Sequence, residues 1–247
     1  MGLVGAGGIG APLIFAMSAY RWNEVGSILL GLILLVLIIE WISAKIRTEI
    51  DRGGNAMGEK HLQIYFTSDL HSYIYPTDYR TPGERDIGLF KCANRFCKDG
   101  NTLVIDGGDL LQGSPLGAFC HDSIGDAENF SSIMNSCGYD YVTLGNHDFN
   151  FGMDYLATYL NALDARCVCQ NALNSDGAVR FPWHIHVLEN GLRIGIVGIV
   201  TDHVNVWERP EHLVGLKISE PFSAAKAALN EMHGRSELDC LCLSRRI

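Results

Sequence analysis

Several things are scarce in this 247-residue sequence. Basic residues are outnumbered, with 19 Lys and Arg against 28 Asp and Glu and a formal charge of −9. Phosphate backbones need clustered Lys and Arg, so no nucleic-acid polymer is expected as a partner. Cysteine occurs eight times but never as CxxC, which removes the thioredoxin-like and zinc-ribbon patterns. Cys167 and Cys169 alternate instead, as do Cys240 and Cys242. Each pair lies in a strand-like run, where buried reduced thiols are expected, and that mildly favours a cytosolic setting. Internal repeats and low-complexity tracts are also missing.

Charge is absent from residues 1–20 and again from residues 25–39. No basic stretch precedes these runs and no small-residue cleavage site follows them, so they are not a secretory signal. Extended across Glu40 to Ala44, the second run reaches the length of about 20 residues that a ~30 Å hydrocarbon layer requires. Trp22 and Trp41 bracket it as interfacial aromatics do. Residues 25–44 are therefore expected to form a membrane helix. Lys45, Arg47 and Arg52 follow it against Arg21 before it, which places the C-terminal body in the cytoplasm if residues 1–52 are expressed. Without them the body is expected to be soluble. Gly5-Ala6-Gly7-Gly8-Ile9-Gly10 fits GxGxxG, but only four residues precede it, too few for a first strand, and dinucleotide binding is not expected. The stretch from Gly2 to Arg52 resembles the C-terminal end of a phosphonate-type ABC-transporter permease. Residues 53–60 then form a linker, rich in Gly and polar groups.

From residue 61 onward the pattern alternates. Strand-like runs at 62–66, 102–105, 141–144, 166–169, 184–188, 193–200 and 238–243 are interleaved with helical patterns at 87–97, 126–137, 153–163 and 221–232. Strands alternating with helices of about a dozen residues indicate an α/β domain with a covered sheet. Residues 61–247 are read as that domain.

Three short stretches each follow one of the early strands. They are Thr67-Ser68-Asp69-Leu70-His71-Ser72, Asp106-Gly107-Gly108-Asp109 and Gly145-Asn146-His147-Asp148-Phe149-Asn150. Open α/β sheets place their ligand sites where strands give way to such loops. Together the loops offer Asp69, His71, Asp109, Asn146 and His147. This is a set of hard oxygen and borderline nitrogen donors without thiolate, suited to Mn, Zn or Fe in a hydrolytic site. Asp-x-His at a strand end lets two side chains reach one cation. A carboxylate after two glycines can bridge two cations at the ~3.5–4 Å typical of two-metal hydrolases. Asn146 offers an amide oxygen to the second, and the neighbouring His147 points elsewhere.

TSDLHS, DGGDLLQGSPL and TLGNHDFNFGMDYL resemble the first three signatures of the calcineurin-like metallophosphoesterases. The resemblance is to the 5′-nucleotidase and 2′,3′-cyclic-nucleotide 2′-phosphodiesterase branches and runs from about residue 62 to 243. It implies an α-β-β-α sandwich and two divalent metal ions. Asp69 and His71 would bind the first metal, Asp109 would bridge, and Asn146 would bind the second. His147 would be the catalytic histidine, and a water activated by the metals would attack phosphorus in line. Nucleotides or cyclic nucleotides are the implied substrates. Asn150 stands where the 5′-nucleotidase branch usually has Asp beside the catalytic histidine, which leans toward the cyclic-phosphodiesterase branch. Asp148 occupies the family's Glu position and is read as structural.

The family also supplies two later histidine ligands, the first in an LSH-type stretch. Here residues 241–244 are followed by Arg245-Arg246-Ile247, and the later GHxH-type stretch and base-binding domain are absent from this sequence. The expectation is therefore a chain that holds one cation weakly and hydrolyses little. His184, His186, His203 and His212 are read as surface or strand histidines. Two other readings accompany the enzyme: a membrane component of a phosphonate transporter, carried by residues 1–52, and a non-catalytic metal- or phosphate-binding fragment.

Overall fold

In a computed structural model the chain is described at residues 60–81 and 83–244, and at 16, 20–23, 25–31, 33, 37 and 40. The chain divides into two compact units, Met1–Glu59 and Lys60–Ile247. Among the described residues no helix is long and apolar enough to cross a membrane. The expected helix over 25–44 gains no support there, and much of it, with the GxGxxG stretch and the linker, lies outside the described residues.

The second unit is built on a parallel sheet of four strands in the order β1-β2-β3-β4. These are β1 (Gln63–Thr67), β2 (Thr102–Asp106), β3 (Tyr141–Val142) and β4 (Arg166–Cys167). Every residue of β2 is buried, as a central parallel strand covered on both faces requires. Its alternating side chains divide between two cores. Val104 faces a core with Leu89 of α1 (Leu89–Ala93), Phe130 and Met134 of α3 (Glu128–Cys137), and Leu156 of α4 (Gly152–Asn161). The short α2 (Pro115–Phe119) lies between α1 and α3 in the chain.

Leu103 and Ile105 face the other way. They pack with Tyr141, Ile194, Ile196 and Cys242, which joins the first sheet to a second of order β10-β8-β7. Its strands are β7 (His184–Val187), β8 (Arg193–Val200) and β10 (Leu238–Ser244). The outer residues of β8, Val197 and Ile199, meet Ala228 and Met232 of α6 (Pro221–Met232). Helices, sheet, sheet and helix thus follow in layers, which is the expected α-β-β-α sandwich.

A small third sheet, β6-β5-β9, holds β5 (Cys169–Asn174), β6 (Val179–Phe181) and β9 (Leu216–Ile218). The single strand expected over 166–169 divides at Val168, because β4 and β5 join different sheets. Asn171 spans the gap to β8. Its amide donates to the Val200 carbonyl at 2.6 Å and its oxygen accepts from the Val200 amide at 3.0 Å. The helix expected over 87–97 shrinks to Leu89–Ala93. Its first amides, Leu89 and Phe90, bond to the carbonyls of Tyr73 and Ile74 instead of starting a longer helix. All eight cysteines are unpaired, but Cys92 and Cys97 are exposed, so burial does not extend to every thiol.

Candidate metal centre

Strands β1, β2 and β3 run parallel, so their C-terminal ends open on one edge of the sheet. Asp69 lies two residues past β1, Asp109 three past β2 and Asn146 four past β3. The loops are fastened to each other by backbone hydrogen bonds. The Asp69 amide donates to the Gly108 carbonyl at 3.0 Å, and the His71 amide donates to that of Asp109 at 2.8 Å.

The close approach demands glycine. A Cβ on Gly145 would run into the Asp109 carboxylate, and one on Gly108, at φ 93°, would run into the Gly145 backbone. Non-glycine residues are strained here too. Asp69, His71, Ser72 and Asp109 all have positive φ, between 47° and 60°. Left-handed backbone of this kind costs of order 1–3 kcal/mol per residue and persists where its surroundings hold it in place.

Asp148 supplies much of that hold. Its buried carboxylate accepts from the amides of Asp109 and Gly145 at 2.8 Å, Leu110 at 2.9 Å and Leu111 at 3.1 Å. Burial pushes its carboxyl up to about 6, the Asp109 charge adds to that, and the amide donors pull the other way. All of its acceptor capacity goes to backbone, which makes it a structural clamp. Asp106 lies beneath, accepting from Thr67 Oγ1 at 2.6 Å and the Gly108 amide at 3.0 Å. Burial pushes Asp106 up to about 7.

The structure brings Asp69, His71 and Asp109 together, one ligand atom from each lying within 4.8 Å of the others. His71 Nδ1 lies 2.8 Å from the Gln112 carbonyl. A carbonyl only accepts, so the proton is on Nδ1 and Nε2 keeps its lone pair on the side of Asp69, at 3.9 Å from Oδ1. That is the arrangement of metal-binding histidines. Asp109 is buried, which pushes its carboxyl up, while the His147 amide and the two imidazoles act in the opposite direction. Asn146 Oδ1 is buried and has no hydrogen-bond partner among the described residues. A buried amide oxygen left so is costly unless something electropositive meets it. Donor chemistry, tautomer and orphaned oxygen all fit divalent cations.

His147 is placed beside the cluster but differently. Its backbone amide donates to Asp109 Oδ1 at 2.7 Å, its ring meets that of His71 edge-on at 5.1 Å, and its Nδ1 lies 2.7 Å from Asn150 Oδ1. The Asn150 amide donates in turn to Glu208 Oε1. Glu208 was not singled out from the sequence, being 58 positions away in the chain. His212, read as a surface or strand histidine, bonds Glu208 Oε2 through Nδ1 at 3.1 Å. His184 and His186 both bond the Tyr141 hydroxyl, at 2.8 and 3.0 Å, and so tie the two main sheets together away from the cluster.

A cavity of ≈ 420 Å³ opens beside Asp69, lined by Tyr73, Asp78, Arg80 and Ile87 among others. A second, of ≈ 360 Å³ and largely apolar, sits at the C-terminal ends of β8 and β10 and holds none of the cluster residues. The first is the one adjoining the chemistry.

Residues 62–216 match the calcineurin-like phosphoesterase family. The chain belongs to that family. Among calcineurin-like relatives, the trifunctional nucleotide phosphoesterase YfkN of Bacillus subtilis is 30% identical over 199 residues, covering 72% of this chain and 14% of the relative. The 2′,3′-cyclic-nucleotide 2′-phosphodiesterase/3′-nucleotidase of Yersinia enterocolitica is 28% identical over 190 residues, covering 69% of this chain and 29% of the relative. The crystal structure of YfkN superposes with a TM-score of 0.66 at 27% identity, over 75% of this chain and 62% of that one. The chain thus spans less than a third of the length of each of the two curated relatives. Calcineurin-like phosphoesterases use divalent metals, and Asp69, His71 and Asp109 form a group here that could hold one.

Proposed function

We propose that this chain carries the metal-binding core of a phosphoesterase that hydrolyses nucleotides or 2′,3′-cyclic nucleotides with two divalent cations. The observation that carries the reading is a three-residue donor cluster beside a buried amide oxygen that lacks a partner. Asp69 and His71 would hold one cation, Asn146 the other, and Asp109 both. Cations bound there supply Lewis acidity toward phosphoryl oxygens and lower the pKa of water.

The remaining steps belong to the chain. Asp109, fixed by the His147 amide and by its loop, keeps the two positions in register. His147 would face the phosphate and exchange a proton with the reacting oxygens at Nε2, because Nδ1 is directed at Asn150. The cavity beside Asp69, at ≈ 420 Å³, falls in the size range of small-molecule pockets. The names of the relatives support nucleotide substrates, and Asn150 in place of a carboxylate favours cyclic ones.

Three described donors serve the first cation and two the second, so the second would bind more weakly. The test is Mn²⁺-dependent release of phosphate from linear nucleotides, and opening of 2′,3′-cyclic nucleotides, by the full chain. Slow, metal-dependent turnover that Asp109→Ala abolishes is expected. Turnover no greater than that of Asp109→Ala would overturn the reading.

A further inference from the structure

We propose that Glu208 is a positioning residue for His147, acting through Asn150 to fix which imidazole nitrogen carries the proton. The Glu208 side chain is 6% exposed, and each of its oxygens is engaged, Oε1 by the Asn150 amide and Oε2 by His212 Nδ1 at 3.1 Å. A carboxylate accepts hydrogen bonds and does not donate them. The end of Asn150 facing Glu208 must therefore be its NH₂ group. The other end, the carbonyl oxygen, must then face His147, at 2.7 Å from Nδ1.

A carbonyl also only accepts. His147 must donate from Nδ1, and its neutral form then has the lone pair on Nε2. Without Glu208, the amide of Asn150 could turn over and present NH₂ to Nδ1, which would move the proton to Nε2. An asparagine alone leaves the tautomer open, because its two ends are nearly the same shape. The carboxylate behind it closes that choice. Where a buried Asp does this job directly, in serine proteases, the wrong tautomer costs up to ~10⁴ in rate.

The tautomer assignment stands on geometry, and its catalytic consequence rests on the reading of His147 given above. The experiment is ¹⁵N–¹H correlation NMR of the histidine rings in the full chain at one alkaline pH, with His147 assigned from its loss in His147→Gln. In the wild type, His147 and His71 are both expected to carry the proton on Nδ1. In Glu208→Gln, position 208 can offer oxygen or NH₂, so the Nε2–H form of His147 should appear. In Glu208→Ala it should grow further, with the His71 pattern unchanged as a marker of the intact fold. Should Glu208→Ala lose the His71 pattern, the isosteric Glu208→Gln decides.

An Nε2–H wild type, or an unshifted His147 with His71 intact, would overturn the assignment. In the same variants kcat should fall about tenfold, less than for a directly attached carboxylate, with KM and bound metal unchanged. A shifted tautomer with unchanged kcat would remove the catalytic consequence alone. No turnover in any form would remove the proposed function while leaving the tautomer result in place.

Discussion

Asp148 holds Asp109 by its backbone, Oδ2 accepting the Asp109 amide at 2.8 Å, while the same oxygen accepts from Gly145 at 2.8 Å. One buried side chain thereby joins the loop after β2 to the loop after β3, and both loops carry donors. Asp148→Ala would leave four amides without acceptors. The expected loss is on the order of 3 kcal/mol, read by urea unfolding of the full chain. Asp148→Asn, which keeps one acceptor, should lose less. A variant as stable as wild type would show that the clamp carries no energy.

Asp106 gives a pH dependence of unusual sign. Its carboxyl is raised from the ordinary 3.8 to about 7 by burial, so between those values the folded chain binds a proton that the unfolded chain has released. Its contribution is fully present below pH 3.8 and is lost as pH rises toward 7, at up to about 1.4 kcal/mol per pH unit. In Asp106→Asn, Nδ2 can donate to Thr67 and Oδ1 can still accept from Gly108. The fall in melting temperature from pH 5 to 7 should therefore be shallower in Asp106→Asn than in wild type. Parallel curves would contradict the raised value.

Asn150 is proposed to bear on substrate choice. A carboxylate beside an imidazole favours its charged form, and an amide does not. Asn150→Asp would also set a carboxylate against Glu208 in a partly buried place. The expected outcome is a shift of the cyclic-to-linear activity ratio toward linear nucleotides, with a measurable loss of stability. An unchanged ratio would remove Asn150 as a determinant.

Much of the architecture was legible because parallel strands leave a strong trace. Residues 193–200 and 221–232 read as one strand and one helix, and these are their observed limits. The three loops were legible because Asp, His and Asn stood directly after apolar runs. What the sequence hid was tertiary. The break at Val168 depends on which sheet each half joins, and the three-residue strands β6 and β9 are too short for periodicity to register. Leu89 and Phe90 give their amides to a distant loop, and no local pattern foretells that. Glu208 and His212 are an i, i+4 pair around Pro210. Their link to Asn150 exists only once α5 (Val204–Trp207) and the turn after it lie against the loop that follows β3.

The most direct test sets Asp109→Ala beside His147→Ala, scoring bound Mn²⁺ and nucleotide turnover together. Asp109 lies among the three clustered donors and also accepts a hydrogen bond from the neighbouring loop, through the His147 amide at 2.7 Å. Its loss should empty both cation positions and abolish turnover. His147 touches the cluster by its ring edge and gives its Nδ1 proton to Asn150. Its loss should leave bound metal near the wild-type level while turnover falls by about 10²–10⁴-fold. If His147→Ala instead loses its metal as fully as Asp109→Ala, the histidine is a ligand and the division of labour described for this site is wrong.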